Sequence, residues 1–322
     1  MLHDADSLAA LRLAGAAPPE LSALGGESSL ALDLGGFSTP DSALDAWLES
    51  LACPVIGLGD GPVFCDAKVP DEDQAGALQE AIARHPVAAA SFVHLLRITA
   101  DMPLLPALGV ESAVYSTLQA GAEYQAWLAE NRAPAVRAHR DAGPAVEIER
   151  DGGTVRLRLN RPSTQNAMSV EMRDALVAAL RPLADDPQFG RLEIDGRGTC
   201  FSTGGELSEF GQVPDPATGH IVRLLSVPGR FLAPLAARAT VQLHGACVGS
   251  GIEFPAFAGE IVARPDAQFS LPEVGMGLIP GAGGCISIAR RIGRQRLAWW
   301  GLSGATIDAE QAREWGLADR ID

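Results

Sequence analysis

The spacing of apolar residues changes several times along the chain, and each change marks an element. From Ser29, "SLALDLGG" is a short apolar run bounded by turn residues, and "TPDSALDAWLESLA" places Leu and Trp at helical intervals behind a polar cap. "CPVIGLG" is a second short strand, so the three predict a small βαβ-like unit. Two longer segments, residues 73–100 and 110–132, keep helical periodicity with Ala- and Leu-rich faces and predict a helical layer. In "APAVRAHRDAGP", residues 133–144, the period is lost. That stretch divides an N-terminal accessory α/β and helical region, residues 1–140, from a second region, residues 145–322.

Beyond the boundary, "AVEIERDGGTVRLRLNRP" alternates on both sides of Asp151-Gly152-Gly153, a hairpin pattern. A helix fits "SVEMRDALVAALRPLADD", a strand "RLEID", a Gly-rich turn "FSTGGELSEF" and a helix "GHIVRLLSVPGRFLAPLAA". The strand "TVQLHG" then runs into a stretch crowded with small residues. Strands alternating with helices after an initial hairpin predict a layered α/β domain.

Composition narrows the function classes. The chain has 322 residues, 47% of them hydrophobic, enough for at least one sizeable core. A formal net charge of −15 argues against nucleic acid as a partner, because phosphate recognition rests on a basic face. Lys68 is the only lysine, so any contact with a phosphate would be made by an arginine fork. No apolar run reaches the roughly 18 residues of a membrane span. The N-terminal "MLHDADSLAALRLAGAAPPE" carries acids where a secretory signal carries basic residues, and a cytoplasmic location is the default expectation. The five cysteines, Cys53, Cys65, Cys200, Cys247 and Cys285, lack zinc or disulfide spacing and read as reduced, buried thiols.

The chemistry concentrates in "HGACVGSGIEFPAFAGEIVARPDAQFSLPEVGMGLIPGAGG", residues 244–284. A strand ending near His244 enters Gly245 to Gly251 and then a plausible helix, "SGIEFPAFA". Small residues let a ligand approach the backbone, and the first N–H groups of a helix point at whatever negative charge lies there. A second glycine pair, Gly204-Gly205, follows another strand and could supply the matching donor of an oxyanion hole. Glu253 falls one turn into the helix and Glu273 at a strand end, and "IPGAGG" opens another helix whose free N–H groups could hold a water. Two carboxylates in one apolar pocket repel each other and are desolvated, which keeps one protonated near neutral pH. Read alone, the glutamates could also be exposed helix and loop residues, and the glycines plain turns.

"FSTGGELSEF", "HGACVGSGIEF" and "AQFSLPEVGMGLIPGAGG", in that order, resemble the signature segments of the crotonase superfamily, the enoyl-CoA hydratases and isomerases. The resemblance runs from about Val146 to Asp322. It implies an α/β crotonase-like ββα superhelix preceded by an atypical N-terminal extension, and an acyl-CoA thioester as substrate. No metal or redox cofactor is implied beyond the coenzyme A of the substrate. The backbone N–H groups of Gly205 and Ser250 would polarise the thioester carbonyl, Glu253 and Glu273 would be the two catalytic glutamates, and Gly281 would help hold the water. "LNRPSTQNAMS" resembles the loop that passes coenzyme A, which brings in Arg161, Asn166 and Ala167, and Thr203 joins them as a ligand contact. The family also implies a homo-oligomer, a trimer or hexamer.

The sequence departs from the family pattern at three places. Ser250 stands where many relatives have glycine, and Cys285-Ile286 replaces a more polar pair, with an altered acyl pocket as the expectation. The chain stops at "GLADRID", where relatives continue into helices that cover the pocket, so the N-terminal extension is expected to substitute. Retention of both glutamates favours hydration of an α,β-unsaturated thioester. The alternatives are an isomerase, a hydrolase, a non-catalytic acyl-CoA-binding protein, or a cofactor-independent arylacetyl-CoA dioxygenase. Members of that last subgroup carry N-terminal helices similar to "ESAVYSTLQAGAEYQAWL".

Overall fold

The computed structural model describes residues 2–13, 19–131 and 140–322. The expected boundary at 133–144 therefore lies, up to residue 139, outside the described residues. The N-terminal region opens with β1 (Leu2–His3), α1 (Ala5–Leu13), β2 (Leu30–Asp33), α2 (Ser42–Glu49), β3 (Val55–Leu58) and β4 (Ala67–Val69). The four strands form one parallel sheet in sequence order. Asp41 starts α2 by accepting the Ala43 and Leu44 N–H groups, which turns Leu44 and Leu48 onto the sheet.

Four helices follow: α3 (Glu72–Arg84), α4 (Pro86–Thr99), α5 (Leu104–Gln119) and α6 (Ala122–Asn131). Each of the two helical segments read from the sequence is broken in the structure. Pro86 cannot continue α3 and forces His85 out of the helical region (φ −139°, ψ 63°), so it becomes the first residue of α4. Between α5 and α6 the Ala120 and Gly121 N–H groups turn back to the Thr117 and Leu118 carbonyls (3.2 and 2.8 Å), which closes α5 before α6 begins.

The second region contains β5 (Val146–Asp151), β6 (Thr154–Leu159), α7 (Val170–Leu180), β7 (Arg191–Gly196), α8 (Pro216–Ser226), α9 (Pro228–Leu232), β8 (Ala239–Leu243) and β9 (Ala246–Val248). It continues with α10 (Ser250–Glu253), β10 (Glu260–Ala263), β11 (Gln268–Ser270), α11 (Gly284–Ile292), α12 (Arg294–Ser303), β12 (Ile307–Asp308), α13 (Ala309–Trp315) and β13 (Arg320–Ile321). Its main sheet has the order β13-β10-β8-β7-β6-β5 and is parallel except for the β5–β6 hairpin. Val155, Leu157 and Leu159 of β6 point inward. The alternate positions Arg156 and Arg158 pair across the strands with Glu193 and Asp195, at 2.9 and 2.6 Å. A second sheet joins β9 to β11 in parallel and β11 to β12 antiparallel. The chain thus winds from a main-sheet strand to a second-sheet strand to a helix, twice in succession: β8-β9-α10 and β10-β11-α11.

Two regions of sequence do not mean two cores. One continuous hydrophobic core joins Ile56, Phe92 and Ala107 of the N-terminal region to Leu243, Ile286 and Trp300 of the second; a smaller cluster fills the space around β2, α2 and β3. No helix among the described residues is long and apolar enough to cross a membrane.

Candidate active site

The winding brings three strand ends to one place. Residues 202–205 run beside β9, with the Ser202 N–H donating to the Ala246 carbonyl (3.2 Å) and the Val248 N–H to the Ser202 carbonyl (3.0 Å). On the other side of β9, the Gly249 N–H donates to the Ser270 carbonyl at the end of β11 (3.0 Å). Gly204 (φ +87°) lies so close to β9 that a Cβ would stand 2.8 Å from the Val248 oxygen. Gly249 (φ +48°) leaves room only for Glu273, whose Oε1 a Cβ at 249 would overlap. Thr203, Gly205, Ser250, Glu253, Glu273 and Gly281 consequently line a single cleft of about 430 Å³.

The N–H groups of Gly205 and Ser250 donate to no protein group among the described residues, although both residues lie in this wall. Two unspent backbone donors beside a cleft are available to an oxygen that gains negative charge.

Glu253 is 2% exposed, and its Oε2 accepts the N–H groups of Ala282 (2.7 Å) and Gly284 (3.0 Å) at the start of α11. Its carbonyl accepts the Ser287 hydroxyl (2.7 Å). Burial pushes its carboxyl up to about 7, against the pull of those two N–H groups. Glu273 opens partly to the cleft, but its Oε2 is buried without a hydrogen-bond partner among the described residues. Burial raises its carboxyl well above the usual range, and the charge of Glu253 raises it further. The pair is asymmetric: Glu253 is equipped to hold a charge and Glu273 to hold a proton.

Several sequence expectations are corrected here. Glu253, read from the sequence only as one turn into its helix, reaches across to the start of α11. The N–H groups opening α11 are therefore not free for water, since Glu253 takes those of Ala282 and Gly284, and Glu111 takes those of Gly283 and Cys285. Gly281 remains on the cleft wall, against the ring of Tyr115. Arg161 does not face a ligand: it is 3% exposed and its guanidinium donates to Glu171 (2.5 Å) and to the carbonyls of Asn160 and Gly143. Asn166 is wholly buried, with its side-chain oxygen accepting the Arg161 N–H and its amide donating to the Arg197 and Cys200 carbonyls. Ala167 is buried beside it, and of these four residues only Thr203 lines the cleft. Cys285 and Ile286 are buried in α11 and do not line the cleft.

Other residues sit as their local sequence suggests. His244 follows β8 with Nε2 3.2 Å from the Gly198 carbonyl, and Trp300 is core, its Nε1 donating to the Ala305 carbonyl. Glu206 is not solvated; it caps the turn at Ser208, while Glu209 accepts the Val170 N–H. All five cysteines are free and buried.

Among the cleft or near-cleft residues that escaped the sequence reading are Glu111 and Tyr115 of α5, and Arg173 and Arg223 of α7 and α8. Arg223 lies over the Tyr115 ring, 4.5 Å from its centroid. Glu111 did leave a signal, because it falls on the face of α5 that carries Ala107, Leu108, Ser112 and Ser116, all buried. An acid in the middle of a buried helical face needs a partner, and that partner was elsewhere in the chain.

The same arrangement of strands is found in solved structures. An enoyl-CoA hydratase subunit I from Geobacillus kaustophilus is similar with a TM-score of 0.51 and 27% identity, over 55% of this chain and 68% of that one. An enoyl-CoA hydratase of Mycobacterium smegmatis gives 0.51 and 27%, over 56% and 70%. In sequence, the chain is 31% identical over 176 residues to the 2,3-dehydroadipyl-CoA hydratase of Escherichia coli K12, covering 54% of this chain and 68% of the relative. It is 32% identical over 184 residues to the cyclohexa-1,5-dienecarbonyl-CoA hydratase of Thauera aromatica, covering 54% and 66%. A family model described as enoyl-CoA hydratase/isomerase matches residues 149–322. With the crotonase fold and more than half its length matched in this way, the chain belongs to the enoyl-CoA hydratase/isomerase family.

Proposed function

We propose that this protein adds water across the α,β double bond of an acyl-CoA thioester. The observation that carries the reading is the convergence of two unspent N–H donors, Gly205 and Ser250, with two unequal glutamates on one cleft. The donors bind the thioester oxygen, where charge develops; removal of such a donor typically costs about 100- to 1000-fold in rate. Glu253, ionised, takes a proton from water as the water oxygen bonds to the β-carbon. The double-bond electrons move to the α-carbon and the carbonyl oxygen, and Glu273 delivers its proton to the α-carbon. Glu253 then holds the proton that Glu273 lost, and exchange with solvent resets the pair. Thr203 and Tyr115 also line the cleft in which the thioester would lie.

The test is mass-spectrometric: short, long and aryl-substituted enoyl-CoA thioesters, with arylacetyl-CoA, in oxygen-18 water. Gain of one labelled water supports hydration. Free acid with released coenzyme A would replace it with hydrolysis, oxygen taken from air with dioxygenation, and binding without turnover of any thioester with a binding role.

A further inference from the structure

Four consecutive N–H groups lead into α11, from Ala282 before its cap to Cys285 in its first turn, and no residue of the helix satisfies them. They are shared alternately between two buried carboxylates from distant parts of the chain. Ala282 and Gly284 donate to Glu253 (2.7 and 3.0 Å), while Gly283 and Cys285 donate to Glu111 (2.7 and 3.0 Å). Glu111 belongs to the N-terminal region that family relatives do not share in the match, and it is 2% exposed. One turn further along α5, Tyr115 lies against Gly281 at the mouth of the same loop.

We propose that Glu111 is a positioning residue of the acid–base centre: it clamps the start of α11 from the opposite side to Glu253, so that the N-terminal helices are a working part of the site. A loop held by one carboxylate alone can rotate about it. Held by two, its alternate N–H groups are fixed, and with them the orientation of the Glu253 carboxylate.

The clamp also couples the two acids. Both are desolvated and both draw on the same helix start, so ionisation of either opposes ionisation of the other. Burial raises the Glu111 carboxyl well above its usual range, and the charge of Glu253 adds to that. The other titratable groups around Glu111 are few. Arg223 of α8 donates Nε to Ser112 (3.2 Å) and His220 places Nδ1 2.9 Å from the same hydroxyl. Arg230 of α9 lines, with Glu111 and Arg223, a cavity of about 90 Å³ behind Gly281. Glu273, Tyr115 and the Cys285 thiol complete the set. Two neighbouring helices direct charges elsewhere: Arg97 of α4 to Asp66, and Glu123 of α6 to the Val87 and Ala88 N–H groups.

The consequence for turnover rests on the hydratase reading; the clamp itself does not, and the experiment separates them. The full chain, labelled with glutamate carrying carbon-13 at the carboxyl, is titrated by NMR as wild type, Glu111→Gln and Glu253→Gln. The Glu111 midpoint is expected to fall by at least about one pH unit in Glu253→Gln, which leaves Glu111 itself unaltered. An unchanged Glu111 midpoint overturns the proposal. In parallel, hydration of crotonyl-CoA is followed in wild type and Glu111→Gln. A positioning role predicts kcat lower by about 10- to 100-fold with KM within about threefold, whereas a merely structural residue would lower the melting temperature and leave kcat unchanged. Unchanged kcat in a wild type that hydrates overturns the positioning role. If the wild type hydrates none of the thioesters while the coupled titration is present, the hydratase reading fails and the clamp stands.

Discussion

Glu253 and Glu273 share a cleft but not a set of partners. Glu253 accepts two N–H groups, and Glu273 has a buried oxygen without a partner among the described residues. Replacing either by Gln is expected to lower turnover by about 100-fold or more while thioester affinity is retained, measured by stopped-time assays and equilibrium binding. Unchanged turnover in both would sink the assignment. The pH dependence follows from the same asymmetry. A base must be ionised, and Glu253 is raised from the ordinary 4.5 to about 7, so kcat/KM should climb as pH rises through about 7. An acid must be protonated, and burial together with the Glu253 charge raises Glu273 well above its usual range, so the rate should fall again at more alkaline pH. An acidic limb at the ordinary carboxylate range, with kcat/KM already maximal at pH 6, would show that Glu253 is not the base.

At the scale of elements, the site depends on how closely backbone meets backbone. The segment 202–205 lies against β9, and β9 against β11, so glycines at the contacts cannot be exchanged. Gly249→Ala would strain a residue at φ +48° and drive its methyl into the Glu273 carboxylate. We expect loss of activity as large as that of the Glu273 variant, with a destabilisation of about 1–3 kcal/mol by urea unfolding. Wild-type activity in Gly249→Ala would mean that Glu273 does not need its observed place. The strand ends, the hairpin at Gly152-Gly153 and the strand leading to His244 were legible because each is set by local alternation and turn chemistry. The helix breaks at Pro86, Gly121 and Pro228 are also local effects, but helical periodicity runs through them and hides them. The "SGIEFPAFA" helix shortens to α10 for the same reason, with Pro255 opening a 3-10 turn instead.

In the whole molecule, the N-terminal sheet is fastened to the second region through Asp66. This residue is wholly buried, accepts the Val55 N–H (2.8 Å) and pairs with Arg97 of α4 (2.5 Å) and Arg294 of α12 (2.9 Å). Asp66→Ala leaves the buried Arg97 and the partly exposed Arg294 guanidinium groups without their carboxylate and should cost about 3–5 kcal/mol, read as a lower urea midpoint; a change under about 1 kcal/mol would remove this network from the account of stability. Sequence alone determined the fold family, the cleft loops and the two glutamates, because those features rest on short ordered motifs whose spacing fixes the backbone around them. It could not decide that Arg161 turns inward to Glu171, or that Glu111 meets the start of α11 across more than half the chain. A guanidinium or carboxylate takes whichever partner the packed helices bring within hydrogen-bond reach, and that choice exists only once α5, α8 and α11 are pressed around one core.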